Sequence, residues 1–259
     1  MKKIFYLLVI FFCVNHAQEI KRLDNAHSHN DYNRKIPLFE ALNCGFTSIE
    51  ADIFLINDSL FIAHSFDEIE KNRTLKKMYL NPLREITKGK NKFTNLFPVN
   101  LLIDIKSEEF STYLALEKLL KEYEEIITVY KNNVKHQKQI NIIISGNRPI
   151  NFIKNQKYRF AAIDGRLEDI NKNEILFPLI SDSMEKILAG EKNRDSIQTI
   201  LMKLSKQVNQ NNKKLRIWGA PDNNESWKIQ KEAKLDFIGT DKPEKLKQFL
   251  VNKRENNNE

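Results

Sequence analysis

The feature that most constrains the fold is a rhythm: from residue 23 onward, short, nearly unbroken apolar runs alternate with longer amphipathic stretches. The run Val-Asn-Leu-Leu-Ile-Asp-Ile over 99–105 and the run Ile-Asn-Ile-Ile-Ile over 140–144 are the plainest cases. A strand with one wet face is polar at every second residue. A run that is apolar almost throughout has to be covered on both faces, as in a parallel sheet with helices packed outside it. Extended segments are expected at 23–26, 46–54, 60–63, 99–105, 140–144, 160–163, 175–180, 215–218 and 237–239. Helices are expected at 37–43, 81–86, 108–129, 149–154, 195–209, 226–233 and 243–251. In the clearest of them, Phe110, Tyr113, Leu114, Leu116, Leu120, Tyr123 and Ile127 recur at helical spacing. The segment at 60–63 follows Asn57-Asp58, a turn pair, and reads as the return arm of a hairpin. About eight strand–helix units in roughly 240 residues fit one closed (β/α)8 TIM barrel of the α/β class. No internal repeat, low-complexity segment or linker argues for a second domain.

The ends of the chain and its charge set the context. Lys2 and Lys3 precede an apolar run over 4–14, and Ala17 precedes Gln18, so residues 1–17 read as a signal peptide and 18–259 as the folded domain. Cys13 follows the bulky Ile10, Phe11 and Phe12, a poor fit to a lipoprotein signal. Export to a periplasmic or extracellular space is the expectation. The mature part carries no second long apolar segment, so no membrane span is expected there, and a monomer is the simplest state. Of the two cysteines only Cys44 remains after cleavage, in a helix-to-strand turn beside Gly45, where it should be buried and inert. The formal net charge is +8, but the lysines are interspersed with Glu and Asp. That is a solvated surface and not a nucleic-acid stripe.

Three of the five histidines crowd between His27 and His64, with Glu50 and Asp52 between them. Each sits at or near the end of an apolar strand-like run. In a (β/α)8 barrel, functional groups gather at the C-terminal ends of the strands. Glu50 and Asp52 are two apart on one strand and so share a face. Asp104 ends the next long strand, with Lys106 two residues on, and Trp218 ends the seventh. Three carboxylates at one mouth repel one another unless a cation neutralises them, and such a set suits Mg²⁺ or Ca²⁺. His27 and His64 could then stand on opposite sides of a phosphorus as base and acid. Lys106 could hold a phosphate oxygen, while His29 is as readily structural as functional.

These residues resemble a known family. Ala26-His27, Pro37 leading a helix that ends at Gly45, Ser48-Ile49-Glu50-Ala51-Asp52, Ala63-His64, Leu101 to Lys106 and Leu235 to Pro243 look like the motifs of the glycerophosphodiester phosphodiesterases, within the phospholipase-C-like barrel superfamily. Asp104 stands where that family usually has Glu, and His27-Ser28-His29 replaces its usual His-Arg-Gly. The run His27 to Tyr32 followed by Pro37-Leu38 resembles a divergent branch typified by the fungal altered-inheritance-of-mitochondria proteins. The resemblance implies a phosphoric diester hydrolase. By it, His27 and His64 are the acid/base pair, Glu50, Asp52 and Asp104 hold one divalent cation (Mg²⁺ or Ca²⁺), and Lys106, Trp218 and His29 meet the substrate. A small phosphodiester or phospholipid-derived molecule would be that substrate. Two other readings stay open: a histidine-rich metal hydrolase of the amidohydrolase or PHP kind, for which His136 is the one histidine left beyond His64, and a barrel that binds a phospho-ligand without turnover.

Overall fold

The computed structural model describes residues 19–252. The expected signal peptide falls on residues 1–17, outside the described residues. In chain order the strands are β1 (Leu23–Ser28), β2 (Phe46–Ile56), β3 (Ser59–Ile62), β4 (Val99–Ile105), β5 (Val129–Lys131), β6 (Val134–His136), β7 (Ile140–Gly146), β8 (Tyr158–Arg159), β9 (Ala161–Gly165), β10 (Leu179–Ser183), β11 (Lys214–Trp218) and β12 (Phe237–Thr240). The α-helices are α1 (Phe39–Asn43), α2 (Asn81–Ile86), α3 (Glu109–Lys121), α4 (Ile150–Asn155), α5 (Met184–Leu188), α6 (Arg194–Gln210), α7 (Asn224–Glu232) and α8 (Pro243–Val251). Eight parallel strands run in the order β1, β12, β11, β10, β9, β7, β4, β2, and β2 pairs back onto β1. This closes the (β/α)8 barrel that the alternation predicts.

The apolar runs are buried on both faces, as expected, but by different partners. On β2, Ile49, Ala51 and Ile53 are fully buried in the shell that the strands share with the helices. The alternate residues point inward. Across the lower barrel Leu102, Ile143, Leu179 and Phe237 fill the interior. Higher up, the inward positions become Ser48, Glu50 and Asp52. Inward polar residues also occur at the lower end, where the Asn141 side chain donates to Asn100 Oδ1 at 2.9 Å; the inward carboxylates Glu50, Asp52 and Asp104 lie toward the mouth.

Register brings those groups level. Asp52 lies opposite Asp104, and Asp104 opposite Ser145. Between β1 and β2 the register slips, with Leu23 opposite Phe46 but His27 opposite Ser48. That bulge sets His27 beside the inward face of β2. β2 outlasts the barrel and folds back through Asn57 and Asp58, both at positive φ, into antiparallel β3. The hairpin returns the chain to the mouth at His64. Gly146 (φ +68°) ends β7, and a Cβ there would collide with Asp104 Oδ1, so only glycine lets the strand pass this close.

Two elements differ from expectation by more than two residues. The helix expected over 108–129 stops at Lys121, and Ile127 instead bridges in parallel to Ile140 before β5. Ile126, Ile127, Thr128 and Val129 are all β-branched, which favours extension, and their helical periodicity reflected burial. The strand expected over 175–180 is Leu179–Ser183. Leu176 and Phe177 are buried apolar residues of the approach, and Pro178, lacking an N–H, delays the ladder. The sequence pattern also does not reveal the small antiparallel sheet of β6, β5 and β8. It sits in helix-to-strand connections, at the end of the barrel away from the mouth, and carries the exposed His136. Cys44 is buried, as expected, and its thiol donates to Glu244 Oε1 at 3.1 Å. No helix of the described residues is long and apolar enough to cross a membrane.

Candidate active site

Glu50, Asp52 and Asp104 converge at the mouth, each offering an oxygen within 4.8 Å of the others. Lys106 Nζ lies 3.1 Å from Asp52 Oδ2 and 3.1 Å from Asp104 Oδ1. Asp52 Oδ1 is buried and accepts no hydrogen bond among the described residues. A buried carboxylate oxygen without a donor is costly unless something cationic meets it. Hard oxygens, an unsatisfied lone pair and close mutual approach all fit a divalent cation of the Mg²⁺ or Ca²⁺ type.

Burial pushes the Asp104 carboxyl up to about 6, with Lys106 opposing and the charges of Asp52 and Glu50 adding to the rise. Asp52 is raised too, by burial and by Glu50. Burial alone would lower Lys106, but Asp104 and Asp52 outweigh it and raise it. The two aspartates thus ionise less readily than free carboxyls.

Glu50 behaves oppositely because of a residue that the sequence reading left aside. Arg216, inward-facing on β11 and 5% exposed, donates from Nη1 to Glu50 Oε2 at 2.6 Å and to His27 Nε2 at 2.7 Å. Burial opposes ionisation of Glu50, yet the guanidinium and the nearby imidazole hold its carboxyl well below the usual range. The signal was present in the sequence: Arg216 is a lone charge inside an apolar strand, two residues before Trp218 and therefore on the same face.

The three histidines fall into two kinds. His27 is walled in, its side chain 1% exposed. Its Nδ1 lies 2.8 Å from Ser48 Oγ and its Nε2 2.9 Å from Glu50 Oε2. Burial first, and the Arg216 charge second, push its pKa down to about 4, so it is neutral at pH 7. Its Nε2 thus meets both the Arg216 donor and the Glu50 acceptor, so neither ring nitrogen is open to the mouth. His64 and His29 are open, with side chains 58% and 38% exposed. His64 Nδ1 faces Asp52 Oδ2 at 3.3 Å, and His29 Nδ1 faces Asp241 Oδ1 at 3.1 Å. Trp218 is 43% exposed and lines one cavity with His27, His29, Arg216, Asp222 and Asp241.

Two loop residues turn out to organise the mouth. Asp31 is fully buried and accepts from Ser28 Oγ (2.9 Å), Tyr79 OH (2.9 Å) and the Leu38 amide (2.6 Å). That carboxylate ties down the loop between β1 and α1. Next to it, the Tyr32 hydroxyl donates to Asp52 Oδ2 at 2.7 Å and lies 3.3 Å from His64 Nδ1. Tyr32 therefore fixes Asp52 and reaches the exposed ring of His64.

Comparisons with known proteins bear on the chain's sequence likeness and fold. A sequence profile described as the AIM6-like phosphodiesterase domain matches residues 17–100. The altered inheritance of mitochondria protein 6 homolog of Arthroderma benhamiae is 28% identical over 252 residues, covering 83% of this chain and 80% of its own. The corresponding protein of Kluyveromyces lactis is 27% identical, covering 87% and 72%. Among solved structures, a glycerophosphodiester phosphodiesterase from Parabacteroides distasonis superposes with a TM-score of 0.56 at 14% identity, covering 89% of this chain and 98% of its own. One from Agrobacterium tumefaciens gives 0.52, also at 14% identity, covering 89% and 100%. The chain thus resembles the AIM6-like phosphodiesterase domain and the altered-inheritance-of-mitochondria proteins in sequence, and it carries the TIM-barrel fold of the glycerophosphodiester phosphodiesterases.

Proposed function

We propose that this chain is an exported, metal-dependent phosphodiesterase acting on a glycerophosphodiester or a phospholipid-like diester. The observation that carries the reading is the convergence of Glu50, Asp52 and Asp104 beside two open histidines and Lys106. Those three carboxylates would hold one Mg²⁺ or Ca²⁺, which when bound draws charge from a phosphate oxygen. Lys106 meets a second phosphate oxygen. His64, oriented by Asp52, takes the proton of the attacking hydroxyl. The leaving oxygen needs a proton in turn, and His27 and His29 are the other two imidazoles at the mouth. Trp218 packs against the apolar part of the substrate.

The histidine-rich alternative needs further imidazoles at the mouth, and His136 is at the opposite end of the barrel. The non-catalytic alternative has one observation in its favour: Arg216 and Lys106 already supply positive charge to the three carboxylates. Assays of the purified protein with bis(p-nitrophenyl) phosphate, glycerophosphodiesters and lysophospholipids, with Mg²⁺ or Ca²⁺ and with chelator, decide between them. Turnover that needs the cation and is lost in His64→Ala supports the phosphodiesterase. No turnover on the whole panel favours the binding barrel.

A further inference from the structure

We propose that His29, held by Asp241, is the residue that protonates the leaving oxygen, with His64 as the base. The inference rests on the phosphodiesterase reading and names the second proton carrier within it.

Of the three histidines at the mouth, two share one design. His64 and His29 each turn Nδ1 toward a carboxylate, Asp52 and Asp241 respectively, and each leaves Nε2 without a hydrogen bond among the described residues. A carboxylate on Nδ1 fixes the ring and its tautomer and steadies the imidazolium, while Nε2 does the chemistry. His27 lacks that freedom, because both its nitrogens are occupied, by Ser48 on one side and by Arg216 and Glu50 on the other.

Asp241 is itself firmly placed. Its backbone N–H donates to Asp222 Oδ2 at 3.1 Å, and Arg34 reaches its Oδ1 at 3.3 Å and the His29 carbonyl at 2.9 Å. Asp222 is anchored in turn by Thr240 and by the Trp227 indole. The His29 amide donates to the Thr240 carbonyl at 3.1 Å, so the dyad rides on the β1–β12 seam. Burial disfavours the His29 imidazolium, but the Asp241 hydrogen bond and the charges of Glu50 and Asp241 together outweigh it and raise its pKa.

The step balances simply. A water or substrate hydroxyl oxygen bonds to phosphorus as His64 takes its proton. The bond from phosphorus to the leaving oxygen breaks with its electron pair going to that oxygen, which takes the proton from His29 Nε2. For water the products are a phosphomonoester and an alcohol. His27 is left the positioning role of holding Glu50 and Ser48.

Leaving-group dependence separates an acid from a merely structural residue. A p-nitrophenolate leaves without a proton, whereas a glycerol alkoxide does not. His29→Gln should lower kcat on an alkyl glycerophosphodiester by about 10²–10⁴-fold and on bis(p-nitrophenyl) phosphate by less than about tenfold. Asp241→Asn should show the same split more weakly, and it serves if the histidine variant folds poorly by circular dichroism. His27→Gln should depress both substrates alike. Equal loss on both substrates in His29→Gln, no loss on either, or the split appearing in His27→Gln instead overturns the assignment. If wild type turns over both diesters and His29→Gln matches it, only the dyad fails. If wild type turns over neither, the phosphodiesterase reading fails and the dyad falls with it.

Discussion

Arg216→Met tests whether the interior is organised around one buried cation. The guanidinium lies 2.6 Å from Glu50 Oε2, with the two side chains 6% and 4% exposed. At an effective dielectric of about 20, unit charges at such a distance attract by about 6 kcal/mol, part of which offsets the cost of burying both. Methionine keeps much of the volume but leaves the Glu50 carboxylate buried and unpaired. Removing one partner of such a pair typically costs about 3–5 kcal/mol, a large part of the roughly 5–15 kcal/mol that holds a domain together. In a domain of this size that corresponds to a fall in melting temperature of about 6–20 °C. Urea unfolding of wild type, Arg216→Met, Glu50→Gln and the double variant measures it. The double variant should lose clearly less than the two single losses added, because the charges act on each other. Since Glu50 ionises more easily folded than unfolded, the stability from the pair is present above the free-Glu pKa of about 4.3 and is lost as pH falls further. A loss below about 1 kcal/mol for Arg216→Met, against the roughly 3–5 expected of a buried pair, or losses that simply add, would refute the reasoning.

Three further outcomes are expected. Tyr32→Phe keeps the ring but removes the donor to Asp52. It should cost about 1.5–3 kcal/mol in denaturant unfolding, as for a hydrogen bond to a charged group, and an unchanged midpoint argues against that bond. Mg²⁺ or Ca²⁺ should raise the melting temperature of wild type but not of Asp104→Asn, read by calorimetry with and without chelator. An equal rise in both removes Asp104 from the ligand set. Burial, followed by the Glu244 carboxylate, pushes the Cys44 thiol up to about 12. Native protein should therefore resist iodoacetamide at pH 8 and react only on unfolding. Because this pKa is higher folded than unfolded, stability holds below the free-thiol value of about 8.5 and declines as pH rises toward 12, and Cys44→Ala should flatten that decline.

Much of the fold was legible because it follows from periods that the backbone imposes. Continuous apolar runs required strands covered on both faces, and β4 and α8 stand where the pattern placed them. The errors share one cause. Tyr123, Ile126, Ile127 and Val129, like Leu176 and Phe177, are apolar because they are buried, and burial alone does not distinguish helix, strand and irregular chain. Within the site, Glu50 and Asp52 could be assigned to one face from their spacing of two. Tyr32 and Asp31 could not be ranked, since their work is visible only once Tyr79 and Asp52 arrive from elsewhere in the chain.

The sequence by itself determined the strand alternation, the common face of the carboxylates on β2 and the placement of His27, His64 and Asp104 near strand ends. These are local properties, set by the two-residue period of a strand and by which positions stay apolar. Only the tertiary structure decided which groups meet. Arg216 reaches Glu50 and His27 because β11 lies across the closed barrel from β2, and Asp241 reaches His29 because β12 pairs with β1. Closure is a property of all eight strands together, so no local window contains it. It also separated two histidines that stand two residues apart: His27, on the strand, was drawn into the wall, and His29, just past its end, was left open beside a carboxylate from the far end of the chain.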